Sequence, residues 1–162
     1  MKHPHPWAHR PLFRHAIAAA VLCGAPVLGW AQFASVPPSA VKVVPPPSAA
    51  AVSTEYRVEA ARHVYAAYPT RIHKGKLPPM MYAVMITDTE IDATGQVVNV
   101  SVARPPASAK EVAPWVVSLI RSAAPFPAPV NLAGGSNVVY REIWLVDRTG
   151  LFQVDTLTEG QR

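Results

Sequence analysis

Three acidic residues stand within five positions of one another, Asp88, Glu90 and Asp92 in the run TDTEID. On an extended strand, residues two apart share a face, so Asp88 and Glu90 could serve as an acid/base pair or hold a hard cation. A small envelope hydrolase using Asp88, Glu90 or His73 is the chemistry this supports. The rest of such a machine is missing from the sequence. No G-x-S-x-G elbow occurs. Outside the N-terminal segment the histidines are His63 and His73, ten apart and without the H-x₃-H spacing of a zinc site. A solvated strand face is the ordinary reading of alternating acids. The expectation is therefore no enzyme, no metal and no cofactor.

A second cluster is basic: Arg71, His73, Lys74 and Lys76, closed by Pro78-Pro79. It could recruit an acidic partner, although charge runs are most often solvated loops. Gly134-Gly135 matches no nucleotide fingerprint and reads as a connector. Trp115 and Trp144 have apolar neighbours and are expected inside.

The elements that position these groups follow from periodicity. Glu55 to Tyr68 has no Gly or Pro and carries Val58, Ala61, Tyr65 and Tyr68 on one stripe, with Glu59 and His63 facing away; Pro69 ends this helix. Tyr82 to Ile91 and Val98 to Ala103 alternate like strands, joined by the turn Asp92-Ala93-Thr94-Gly95, in which Gly95 is available for a positive φ. Ser108-x-x-Glu111 has the form of a capping box before the helical stripe Val112, Val116, Leu119, Ile120, Ala123. Pro114 either kinks that helix or opens it. Val138 to Val146 is a third strand, Asp147 to Gly150 a turn, and Leu151 to Leu157 a weaker fourth strand. The order helix, hairpin, helix, hairpin predicts an α+β fold of two layers, an antiparallel sheet of three to four strands with two helices on one face.

The N-terminus has the form of a secretory signal. Lys2, Arg10 and Arg14 precede the apolar run Ala16 to Leu28, and Gly29-Trp30-Ala31 offers small residues for a cut that leaves Gln32 first. The run falls short of the roughly 20 residues of a spanning helix and contains Pro26. Cys23, the sole cysteine, lies inside it behind Leu22, which does not suit lipidation, and so do the basic flank's His3, His5, His9 and His15 lie in the disposable part. Without the leader, twelve Lys and Arg remain against ten acids. Such a balance gives no footprint for nucleic acid. The expected plan is a signal peptide over 1–31, a Pro/Ala-rich spacer without a core over 32–53, one domain over 54–157 and a frayed tail over 158–162. The spacer's 22 residues could reach roughly 70 Å if fully extended.

The punctuation of the folded part resembles the C-terminal domain of the TonB family, close to the TolA C-terminal fold. The residues that carry the likeness are Tyr68-Pro69 after the first helix, Ile91-Asp92-x-x-Gly95-x-Val97, and Ala123-Ala124-Pro125-Phe126-Pro127-x-Pro129, followed by Val138 to Val146. The resemblance implies a periplasmic, non-catalytic domain working by contact. Its transducer members add an extended segment of an outer-membrane transporter to the edge of their sheet. On this chain that edge would be the last family strand, with Val139, Arg141, Ile143 and Leu145 as docking residues and the basic loop as a second surface. The partner would be an envelope protein, and strand swapping would give a homodimer. The alternative is an inner-membrane-anchored energy transducer with its leader retained. Three departures weigh against that alternative. No Ser precedes Ser35 and His15 only borders the apolar run; the spacer is short; and a strand at Leu151 to Leu157 would cover the docking edge.

Overall fold

Alternation of apolar and polar residues builds a sheet with one buried face. The computed structural model describes residue 33, residues 39–132 and residues 136–161; the expected leader, its Ala31/Gln32 cut and Gly134-Gly135 lie outside these. In chain order the elements are helix α1 (Ser53–Ala67), strands β1 (Ala83–Ile91) and β2 (Val97–Arg104), helix α2 (Val112–Ser122), strands β3 (Val138–Val146) and β4 (Phe152–Val154), and a 3₁₀ turn over Asp155–Leu157. The fold is α+β with a four-stranded antiparallel sheet in the order β2-β1-β3-β4. β1 and β3 pair over their whole length, from Ala83↔Val146 to Ile91↔Val138.

The inward positions of this central pair are Met85, Thr87, Thr89 and Ile91 on β1 and Tyr140, Glu142, Trp144 and Val146 on β3. Against them pack Tyr56, Ala60 and Val64 of α1 and Val116, Leu119 and Ile120 of α2. Both tryptophans are buried as their neighbours suggest, and Trp144 Nε1 donates to Thr87 Oγ1 at 3.0 Å. Gly95 turns the β1–β2 hairpin at φ +85°, and a Cβ there would overlap the Phe126 carbonyl oxygen. The turn's own carbonyl accepts from the Phe126 N–H at 2.8 Å. The Pro-rich segment after α2 is thereby stitched to the hairpin.

Several expectations change. The α1 stripe is rotated: His63 faces inward, 5% exposed, its Nε2 2.7 Å from the Ala123 carbonyl. The Tyr68 hydroxyl donates to the Leu119 carbonyl, and burial pushes its pKa up to about 12. Ser108 forms no cap; α2 begins at Val112 with Pro114 in its first turn, where backbone donors have no helical partner to lose. Glu111 accepts instead from the Tyr82 hydroxyl at 2.6 Å.

The Pro-rich segment is docked where a spacer without a core is expected. Val41 N–H donates to Ala67 O and Ser48 N–H to Ala128 O, both at 2.9 Å, and Ser48 and Ala50 are buried. The tail is tied as well. Leu77 N–H donates to Gly160 O, and Thr158 Oγ1 donates to Gln153 Oε1. In both places backbone groups without a helix or sheet of their own find partners on the body.

Candidate functional site

The three acids with chemical potential are each committed to structure. Asp88 holds Arg141 through two bonds of 2.6 Å, one from Nε and one from Nη2. That guanidinium keeps the Asp88 carboxyl below the ordinary carboxylate range. Glu90 accepts from Asn99 on the next strand. Asp92 caps the hairpin turn, its Oδ1 accepting from Thr94 N–H, Thr94 Oγ1 and Gln96 N–H. His73 belongs to a different edge of the molecule. Among the described residues no group of three His, Cys, Asp or Glu side chains could hold a metal ion.

The predicted docking strand is an inner strand. β3 lies between β1 and β4, and its Leu145 pairs with Gln153. Asp147 N–H donates to Leu151 O, so backbone groups of odd-numbered β3 residues point to the β4 side. β4 covers Trp144–Val146 only. Beyond it, the Ile143 N–H donates to the carboxylate of Glu142 at 3.0 Å. This leaves Val139 and Arg141, both exposed, as the short uncovered stretch. Leu151 to Leu157 is half strand: it pairs for three residues and then coils into the 3₁₀ turn.

Glu142 was not among the residues that sequence reasoning singled out. It is fully buried and accepts from Arg57 Nη2 at 3.0 Å, the Tyr140 hydroxyl at 3.0 Å and Thr156 N–H at 3.3 Å, besides Ile143. Its signal in the sequence is parity. In VVYREIWLV it falls on the inward set with Tyr140 and Trp144, where a carboxylate needs partners. It plugs the place where β4 leaves β3.

The basic loop lies along the far rim. His73 N–H donates to Phe152 O at 2.9 Å and Phe152 N–H to Arg71 O at 2.8 Å, a parallel bridge between Ile72 and Phe152. Gln153 Nε2 donates to the carbonyls of His73 and Gly75. Arg71 and His73 are half-buried, and Lys74 and Lys76 are exposed. Backbone, not charge, fixes the loop, and it closes the β4 rim.

The opposite rim is open. Even-numbered residues of β1 point to β2, so β2's Asn99 and Ser101 face β1 while the N–H and C=O of Val100 and Val102 point outward. No described strand pairs with that side. β-bulges at Ile86/Thr87 and Glu90/Ile91 bracket the regular stretch between them. Val97 to Ala103 carries no charge and no proline, the residues that usually blunt an edge. Val98 is 52% exposed.

Among the described residues no helix is long and apolar enough to cross a membrane. Comparison of the chain with family models, with curated protein sequences and with solved structures finds no match.

Proposed function

We propose that this chain is a non-catalytic protein-interaction module of the TonB C-terminal type, exported to the periplasm, that takes an extended segment of an envelope protein onto the rim of its sheet. One observation carries the reading. Of the sheet's two rims, β4 is occupied by the chain's own residues 71–73, whereas β2 offers Val100 and Val102 unpaired. Strand addition gains main-chain hydrogen bonds from such a rim, and alternate side chains give the selectivity. Here the added strand would lie beside Asn99 and Ser101 on the open face and beside the valines on the helix face. This moves docking from Val139, Arg141, Ile143 and Leu145 to the other side of the sheet. The resemblance of the punctuating residues supports the family, and the leader's form supports export.

The test is a photo-crosslinking residue placed at Ser101 in the protein's own host, with and without Val100→Pro. The Val100 N–H faces outward, so proline there removes no bond of the β1–β2 ladder and the domain stays folded. A specific adduct with one envelope protein, lost in Val100→Pro and kept in Lys74→Ala, is the expected result. An adduct that survives Val100→Pro but disappears with Lys74→Ala would move the interface to the basic loop.

A further inference from the structure

Between Val41 and Ser48 the docked segment crosses α1 as an arch. Both ends are pinned, Val41 N–H to Ala67 O and Ser48 N–H to Ala128 O, each at 2.9 Å. Pro45, Pro46 and Pro47 stand between the pins and have no N–H to give, so no backbone donor of theirs draws the chain down onto the helix. Val44, just before them, is 87% exposed. The hollow that remains has a volume of about 400 Å³, within the range of small-molecule sites. Val43 and the three prolines line it from the arch, and Ala66 of α1 and Pro127 line it from the body.

Three polar side chains of α1 share the hollow: Glu59, Arg62 and His63. Their spacing puts them on one helix face, and their exposure puts them at different depths. His63 is buried, Glu59 half-buried and Arg62 exposed. Neither Glu59 nor Arg62 forms a salt bridge with a described residue. His63 Nε2 lies 2.7 Å from the Ala123 carbonyl, which can only accept, so the ring hydrogen is on Nε2. Burial lowers the His63 pKa and keeps the ring neutral. Nδ1 is then a lone-pair acceptor, and it has no partner among the described residues.

We propose that the hollow under the proline arch is a binding site for a free α-amino acid with an indole side chain. The ring lies among the prolines with its N–H donating to His63 Nδ1, Arg62 takes the carboxylate and Glu59 the ammonium. Each part of the ligand follows from a part of the site. Walls of proline, valine and alanine call for an apolar body. An acceptor with no donor beside it suits an indole N–H, which donates and does not accept. Two opposite charges three residues apart match the two ends of a zwitterion. A tryptophan inside a protein chain would bring the ring and neither charge.

Amide NMR of the chain recovered from its host, titrated with L-tryptophan, tests the site. The Val43, Ala49 and Ala66 amides should shift and saturate with a Kd on the order of 0.1–1 mM, as suits so small a ligand. Those of Asn99 and Ser101 on β2 should stay in place. Ala66→Phe fills the hollow from an exposed helix position, leaving the core alone, and should abolish the shifts. Arg62→Gln should weaken binding about tenfold. N-acetyl-tryptophanamide, without either charge, and tryptophan methylated on the indole nitrogen should each bind the parent about tenfold more weakly than L-tryptophan. No saturable shift at the three amides by about 10 mM would overturn the site, as would shifts that survive Ala66→Phe. N-acetyl-tryptophanamide binding within about twofold of L-tryptophan would refute the free amino acid and assign the hollow to a tryptophan of another protein. Equal binding of the methylated indole would refute the bond to His63.

Discussion

Replacing Glu142 by alanine removes one acceptor from four donors. The Tyr140 hydroxyl is the most exposed to the consequence, because Tyr140 is 1% exposed and has no water to turn to. An orphaned buried donor costs about 1–3 kcal/mol, and breaking a buried ion pair by deleting one partner costs about 3–5 kcal/mol. These overlap and do not add. Arg57 softens the loss, since its side chain is 38% exposed and Asp155 stands 3.5 Å away as a second partner. Glu142→Ala should therefore destabilise the domain by about 3–4 kcal/mol. Glu142→Gln keeps an oxygen for Arg57, Ile143 and Thr156 but loses the charge and sets an amide donor against the Tyr140 hydroxyl, which must then accept instead of donate, so about 1–2 kcal/mol is expected. Urea denaturation followed by tryptophan fluorescence reads both, as shifts in midpoint at constant slope. A loss below about 1 kcal/mol for the alanine variant, or equal losses for the two, would refute the idea that this carboxylate secures the end of the β3–β4 pairing.

Two further perturbations test the frame around the sheet. Gly95→Ala combines a left-handed φ with a Cβ that overlaps the Phe126 carbonyl oxygen. About 2–4 kcal/mol should be lost in thermal or urea unfolding, while Gly75→Ala, with a similar φ but open space around it, should lose about 1 kcal/mol. Burial of His63 lowers its pKa, opposed in part by its bond to the Ala123 carbonyl. The unfolded chain thus binds a proton more readily than the folded one. Stability should be full above about pH 6.5 and fall as pH drops below it, and His63→Gln should flatten that acid limb measured by urea midpoint against pH.

The parts of this fold that read cleanly from the sequence are those with a strict period. β3 spans Val138–Val146 as expected, and β1 starts one residue later than its predicted beginning at Tyr82. The apolar stripe of α2 is all buried. α1 was harder, because it is covered on more than one side. Tyr56, Ala60, Val64 and Ala67 face the core while His63 meets the end of α2, so no single stripe describes it. The docked segment and the tail were illegible for a different reason. Their contacts are single backbone bonds and isolated burials at Phe33, Ser48 and Ala50, which leave no periodic trace. Strand order was also beyond reach. The hairpin fixes β2 beside β1, but nothing local decides whether β3 joins the free edge of β1 or that of β2, and that choice determines which rim is open.

The β1–β3 pairing at the centre of the sheet also sets the order in which the molecule can be made. The β1–β2 hairpin closes through a tight turn and can form as soon as Arg104 has been synthesised. β1's other edge has no partner until α2, the proline-rich connection and β3 have followed. Throughout that interval the growing chain is a two-stranded ribbon with both margins bare, which is a target for mispairing in a crowded compartment. When β3 arrives it sheathes one margin permanently, and the last residues to emerge cover the Trp144–Val146 end of its far side. Among the described residues, the β2 margin keeps along its regular stretch the receptivity that the nascent ribbon had on both sides.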